Sequence, residues 1–282
     1  MGYIAQALYD MDCDVKLWDI HAYGHSQNDV AQAIKHLDFD LVGVSAFSTQ
    51  YAYTKWLARE LKKHHPGKII LGGALPTFNP SLILERTDID ICVIGEGDTT
   101  IKSVVRDIDH LERVRGIYFR KDGEIVANPP QDYIKDLDSI PFPSYDIFPT
   151  DVYFKHIGFF GIPARRTINL VTSRGCPYHC NFCSRTFTGV RLRSIDNIIE
   201  EIRLLKERFH IDSVFFCDEL VLINQKRAYE LCDKIRKLGI LWGCQGRVNT
   251  VDLDLLKYMK STGCVYVGYG IESGSQKILD SM

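Results

Sequence analysis

Three cysteines stand close together in Ser173-Arg174-Gly175-Cys176-Pro177-Tyr178-His179-Cys180-Asn181-Phe182-Cys183. Thiolates at C-x3-C-x2-C on one loop can converge on three corners of a four-iron cubane, and one iron is then left without a protein ligand. That open corner is the chemical point: an electron carrier uses four thiolates, whereas a catalytic cluster needs a place for substrate or cosubstrate. Two other readings fit the same residues. One is a zinc site completed by His179 or the distant Cys217, and the other is three unligated core thiols. Zinc sites usually pair C-x2-C with a second pair further on, and Cys217, Cys232, Cys244 and Cys264 form no such pair.

The elements that must position these thiols follow from hydrophobic spacing. Asn169-Leu170-Val171-Thr172 reads as a strand running straight into the cysteine loop. A helix is expected from Asp196 to Phe209, with apolar positions at Ile198, Ile199, Ile202, Leu205 and Phe209. Strand Ser213 to Cys217, helix Gln225 to Leu238, strand Ile240 to Cys244, helix Leu253 to Met259 and strand Cys264 to Tyr269 follow. The first half alternates in the same way. Val15 to Asp19 is expected as a short strand, Asn28 to Leu37 as a helix, Leu41 to Ser45 as a buried strand and Tyr51 to His64 as a helix. Lys68 to Leu71 enters Gly72-Gly73, and Ile91 to Ile94 enters Gly95-Glu96-Gly97. Such β-α-β-α order predicts an α/β fold, a Rossmann-like parallel sheet with helices on both faces and ligands at the carboxyl ends of its strands. At that edge lie Ser45, Ser48 and Thr49, then Gly72 and Gly73, then Gly95, Glu96 and Gly97. Glycine permits close backbone approach and hydroxyls supply hydrogen bonds, although ordinary tight βα turns would look the same. Arg115 to Ala127 reads as a hairpin on Asp122-Gly123. Five prolines in NPPQDYIKDLDSIPFPSYDIFP mark a packed linker. The expected domains are 1–130, a linker over 131–165, and 166–282.

At 282 residues, with 45% hydrophobic and 25% charged, the chain is long enough for two globular domains. A net charge of −2 gives no electrostatic reason to expect nucleic acid or an anionic membrane as partner. No apolar run approaches the roughly 18 residues of a membrane span. The start, MGYIAQAL, lacks the basic and apolar regions of a secretory signal, and Gln6 stands where myristoylation wants Ser or Thr. Nine cysteines without such a signal point to a reducing, cytoplasmic location.

The stretch TSRGCPYHCNFCS resembles the signature of radical S-adenosylmethionine enzymes, and the preceding SAFST, LGGALPT and VIGEGD resemble their cobalamin-binding subgroup. The resemblance covers nearly the whole chain. It implies a cobalamin-binding α/β domain followed by a partial (β/α)6 TIM-like barrel. It also implies a 4Fe-4S cluster on Cys176, Cys180 and Cys183, with S-adenosylmethionine and cobalamin as further cofactors. In that family the methionyl amine and carboxylate chelate the open iron, and reductive cleavage gives a 5′-deoxyadenosyl radical that abstracts hydrogen from an unactivated carbon. Methyl transfer is the simplest outcome expected, with oxidative cyclisation or rearrangement as the alternative. A cobalamin or metal module without turnover is the reading from another class. A small-molecule substrate and an electron donor such as flavodoxin or ferredoxin are implied as partners.

Residue by residue, Phe182 resembles the family position beside adenine, though a core phenylalanine sealing the cluster fits equally. Cys217-Asp218-Glu219 stands where the family often has G-G-E against the cosubstrate's amino group, which makes Glu219 the candidate there. Arg247 ends the third strand, able to meet a carboxylate bidentately or to form a structural ion pair. Gly270-Ile271-Glu272-Ser273-Gly274 looks like the family's G-I-E-S-G, so Glu272 and Ser273 are candidates for ribose or methionyl contacts. As structural alternatives, Glu272 would cap the following helix and Ser273 would be its N-cap.

Asp19-Ile20-His21-Ala22-Tyr23-Gly24 matches D-x-H-x-x-G, by which some cobalamin domains present histidine to cobalt. Only one expected helix separates His21 from Ser45, one unit too few for that arrangement, so His21 is expected to be a turn residue. Against the family pattern both ends look truncated: the first strand with its loop and the last two barrel strands are expected outside this sequence.

Overall fold

The computed structural model describes residues 1–156 and 166–282. The part of the expected linker at 157–165 lies outside the described residues. The described chain forms two compact units, residues 1–133 with 141–149, and residues 134–140 with 150–282.

In the first unit the helices α1 (Gly2–Tyr9), α2 (Gln27–Ile34), α3 (Tyr51–His64), α4 (Ala74–Phe78), α5 (Pro80–Arg86) and α6 (Gly97–Arg106) surround a five-stranded sheet. Its strands are β1 (Leu41–Ser45), β2 (Lys68–Gly72), β3 (Ile91–Val93), β4 (Ile117–Lys121) and β5 (Glu124–Ala127), in that order. The first three are parallel, and β4 and β5 add an antiparallel hairpin. Asp122 and Gly123 join the hairpin with φ of 52° and 84°, the two left-handed residues of a type I′ turn. The alternation of β2 divides the core. Ile69 and Leu71 pack with Val30, Ile34, Leu57, Leu61, Ile83 and Leu84 on one face. Ile70 packs with Ala7, Ile101 and Val104 on the other. Helices therefore cover both faces, as continuous apolar strands require. Ser26 caps α2 by accepting from the Asp29 N–H, while the Asp29 carboxylate accepts from the Ser26 N–H.

One expected element is absent. Val15–Asp19 carries no strand ladder in the structure. A strand exists only where a neighbour pairs its backbone, and among the described residues β1, at the edge of the sheet, pairs with β2 alone. Apolar burial holds the segment all the same, since Trp18 and Ile20 pack against the α2–α3 side of the core.

The second unit contains α7 (Thr150–His156), then β6 (Thr167–Leu170), the short pair β7 (Ser173–Arg174) and β8 (Arg191–Leu192), and α8 (Ile195–Phe209). It continues with β9 (Ser213–Phe216), α9 (Gln225–Ile235), β10 (Leu241–Gly246), α10 (Leu253–Ser261), β11 (Cys264–Tyr269) and α11 (Gln276–Ser281). Strands β6, β9, β10 and β11 are neighbours in chain order and all parallel. Successive βα units of one hand lay each strand beside the last, the arrangement from which a barrel wall is built. Trp242 and Phe216 are fully buried, their rings 6.0 Å apart, and α8 buries Ile198, Ile199, Ile202 and Leu205.

Candidate active site

Every candidate of the second unit lies at the carboxyl edge of the parallel sheet. The chain leaves β6 through Val171 and Thr172, enters β7, and returns by β8 after a loop of irregular backbone holding Cys176, Cys180 and Cys183. Ser173 faces Leu192 and Arg174 faces Arg191, so this short antiparallel clasp closes the base of the loop. Gly175, one residue before the first cysteine, has a φ of +88°, and a Cβ there would stand 2.1 Å from the Gly189 carbonyl oxygen. Only glycine permits that approach of backbone to backbone. Within the loop the Cys183 N–H donates to the Cys180 carbonyl at 3.2 Å. At its tip the Asn181 side chain donates to the Ser281 carbonyl at 2.6 Å, satisfying a terminal acceptor of α11.

Cys176 and Cys180 are half-buried and Cys183 is exposed. Among the described residues no three of His, Cys, Asp and Glu are gathered into a metal-holding group, Cys176, Cys180 and Cys183 included. His179 is exposed and engages Arg185. The donor set suits iron: three sulfurs on one loop, fixed at its base and irregular between, with no hard oxygen donor among them. Phe182 is 51% exposed on this loop.

Two long-range polar contacts hold the loop base, and hydrophobic spacing gave no hint of either. Asp218, just past β9, is buried and accepts from the Thr172 N–H at 2.6 Å, from the Ser173 hydroxyl at 2.7 Å and from the Thr172 hydroxyl. Burial pushes its carboxyl above the usual range, while the hydrogen bonds from Thr172 and Ser173 pull the other way. Arg193, just past β8, donates to the Val171 carbonyl at 2.8 Å and pairs with the fully buried Glu201 of α8 at 2.5 Å. Glu201 is the one signal in the sequence that points there. It sits on the apolar stripe of α8, and a carboxylate in that position needs a cationic partner.

The other candidates are distributed along the same edge. The Glu219 carboxylate accepts from the Gly175 N–H, and its pKa is raised, by desolvation first and by Asp218 after it. Arg247 follows β10, donates to Cys180 Sγ at 3.3 Å and lies with its guanidinium carbon 3.9 Å from the centroid of the Tyr178 ring. Glu272 is exposed with a φ of 60°, and Ser273 accepts from the Ser275 N–H at 3.1 Å. The N-cap of α11 is Ser275, not Ser273, because the chain makes a tight turn at 271–273 before entering the helix.

The first unit has its own loop edge. The Ala46 N–H donates to the Gly72 carbonyl, the Leu75 N–H to Ala46, the Thr77 hydroxyl to Gly73 and the Gly95 N–H to the Thr77 hydroxyl, all between 2.8 and 3.2 Å. These bonds join the three expected turns into one surface. Ser45, Ser48, Thr49 and Gly73 are exposed on it, Gly72, Gly95 and Gly97 are half-buried, and Glu96 is buried as the N-cap of α6. Gly73 has a φ of +93°, and a Cβ there would stand 2.9 Å from the Ala46 carbonyl oxygen. Gly73→Ala is expected to cost about 2 kcal/mol, from the left-handed penalty plus the clash. A lowered thermal midpoint would show this, and an unchanged midpoint would mean that the 45–49 loop yields freely. His21 is exposed within a turn in which the Gly24 N–H donates to its carbonyl at 3.0 Å and the Ala22 N–H to Asp19 Oδ1 at 2.9 Å.

Comparison with known proteins agrees with this geometry. The family model described as "B12 binding domain" matches residues 1–105, and that of the "Radical SAM superfamily" matches 170–282. An uncharacterized methyltransferase of Pyrococcus horikoshii is 34% identical over 99% of this chain, which spans 61% of that protein. An anaerobic magnesium-protoporphyrin IX monomethyl ester cyclase of Rubrivivax gelatinosus is 30% identical over 99% of the chain, which spans 51% of it. Among solved structures, the radical S-adenosylmethionine methyltransferase TsrM from Kitasatospora setae superposes over 99% of the chain and 57% of its own length, at a TM-score of 0.80 and 15% identity. The cobalamin-dependent radical enzyme OxsB with aqua-cobalamin bound superposes over 99% of the chain and 42% of its own length, at 0.81 and 21%. The chain thus spans about two fifths to three fifths of the length of these four proteins. With a B12-binding domain before a radical domain, it belongs to the cobalamin-dependent radical S-adenosylmethionine enzymes, whose cofactors are a 4Fe-4S cluster, S-adenosylmethionine and cobalamin.

Proposed function

We propose that this chain is the cofactor-binding part of a radical enzyme that transfers a methyl group to an unactivated carbon of a small molecule. The observation that carries the reading is the convergence of the cysteine loop with Glu219, Arg247, Glu272 and Ser273 at one carboxyl edge of a parallel sheet. A sensor without turnover has no need of cosubstrate contacts around an open iron. Relatives whose names include methyltransferase favour methyl transfer, and the cyclase relatives keep oxidative cyclisation as the second reading.

In this proposal Cys176, Cys180 and Cys183 hold the cluster. When bound, it supplies the electron that splits the cosubstrate's sulfonium, while cobalamin supplies a methyl carrier. Phe182 lies beside the adenine. Glu219 receives the amino group of S-adenosylmethionine, and Glu272 with Ser273 receives its ribose or methionyl end. Ser45, Ser48, Thr49, Gly72, Gly73, Gly95, Glu96 and Gly97 hold cobalamin through hydroxyls and close backbone approach. A low-potential donor such as flavodoxin or ferredoxin provides the electron, in the cytoplasm. No helix among the described residues is long and apolar enough to cross a membrane.

Anaerobic reconstitution of the complete protein with iron and sulfide is expected to give a brown protein with absorbance near 400 nm that forms 5′-deoxyadenosine from S-adenosylmethionine under reductant. Changing Cys176, Cys180 or Cys183 to Ala is expected to abolish both. A protein with its cluster intact that forms no 5′-deoxyadenosine would overturn the enzymatic reading, and a colourless zinc protein would overturn the cluster itself. Product mass separates methylation from cyclisation.

A further inference from the structure

We infer that Arg247 is a positioning residue for the cluster ligand Cys180, holding its sulfur and raising the reduction potential of the cluster through a charged N–H···S hydrogen bond. The inference rests on the cluster reading above. Sequence position offers Arg247 to a carboxylate, yet the structure gives its guanidinium other partners. One terminal nitrogen donates to Cys180 Sγ at 3.3 Å, and the planar group stacks on Tyr178, 3.9 Å from the ring centroid. Both partners lie in the cysteine loop, with Tyr178 two positions before the second cysteine. The guanidinium thus clamps the loop on both sides of His179.

The base of this side chain is fixed. Arg247 leaves β10 directly into the 3-10 turn Val248–Thr250, and its carbonyl accepts from the Thr250 N–H at 3.1 Å and the Thr250 hydroxyl at 2.8 Å. Asn249 Oδ1 accepts from Arg247 Nε at 3.4 Å. Arginine suits the position because its fork donates in the plane in which it stacks, so one side chain can hold ring and sulfur together. Lysine would keep the charge and lose the plane. Cys183 Sγ, by contrast, meets the Ser184 carbonyl at 3.9 Å and no cationic donor among the described residues.

A cationic donor at a thiolate favours the reduced, more negative state of an iron-sulfur centre, because hydrogen bonds to the sulfurs and nearby charge set its potential. Loss of Arg247 is therefore expected to make the cluster harder to reduce by about tenfold in the ratio of reduced to oxidised form, ~59 mV for one electron.

The test is an electron-paramagnetic-resonance redox titration of the complete protein, reconstituted anaerobically, as wild type, Arg247→Met, Arg247→Lys and Tyr178→Phe. The midpoint is expected to fall in Arg247→Met, to fall less in Arg247→Lys and to hold in Tyr178→Phe, which keeps the aromatic face. Loss of the cluster from Arg247→Met at an unchanged melting temperature would also support the role, since no ligand has been removed. If Arg247→Met does not fold, Arg247→Lys carries the test. Unshifted midpoints in the loaded arginine variants overturn the inference while leaving the cluster reading intact. A wild type that takes up no iron and sulfide overturns the cluster reading instead.

Discussion

Gly175→Ala is expected to lower cluster incorporation by at least about tenfold and to destabilise the second unit by about 3 kcal/mol. The cause is geometric. The left-handed backbone costs an alanine about 1–2 kcal/mol, and its methyl would lie 2.1 Å from the Gly189 carbonyl oxygen, a distance no rotamer relieves because both atoms belong to or adjoin the backbone. The loop base must open for the variant to fold, and Cys176, the next residue, moves with it. Iron and acid-labile sulfide content after reconstitution, with thermal unfolding of the same protein, checks both parts. Normal cluster content with an unchanged midpoint would show that the clasp between Ser173–Arg174 and Arg191–Leu192 does not control the cysteines.

Asp218→Ala is expected to cost about 3 kcal/mol, since it leaves the Thr172 N–H and the hydroxyls of Thr172 and Ser173 in a buried place without their acceptor. Asp218→Asn is expected to cost only about 1 kcal/mol, because its amide oxygen still accepts from the N–H and the hydroxyls can rotate to accept from its NH2. The pH dependence has a definite sign. Burial raises the folded carboxyl above its ordinary 3.8, so between that value and the folded one the native state holds a proton that the unfolded chain has released. This group therefore makes stability fall as pH rises through that window, and both variants are expected to flatten the slope there. Urea unfolding at several pH values measures it. An equal cost for Ala and Asn, or an unaltered slope, would mean that the carboxylate is not the acceptor that staples the loop.

Much of the fold is legible in local pattern. Leu41–Ser45, Tyr51–His64 and Cys264–Tyr269 have the ends that apolar spacing and the His-Pro-Gly stop imply, although Leu41–Ser45, expected as a buried strand, lies at the sheet edge with no residue fully buried. Val15–Asp19 has equally good strand spacing and forms no strand. Its composition answers the question of burial, which Trp18 and Ile20 satisfy, but a ladder also needs a paired backbone, and composition is silent about that. The structural alternative for Ser273, an N-cap, fails for a related reason. A serine near a helix start is a general N-cap signal, while the turn at 271–273 decides which serine occupies the place.

The sequence by itself offered three thiols at C-x3-C-x2-C, a donor set suited to an iron-sulfur cluster, and the α/β order that carries the loop to a strand edge. Both depend on residues near one another along the chain, where spacing is geometry. Only the tertiary structure decided what holds the thiols. Asp218 reaches Thr172 across 46 residues and Arg247 reaches Cys180 across 67, so each pair is made by strand order rather than by spacing. In the linear chain Asp218 is one acid of an acidic pair and Arg247 is one arginine after a strand. Parallel strands bring successive carboxyl ends side by side, and that adjacency turns the first into a buried acceptor and the second into a donor to sulfur.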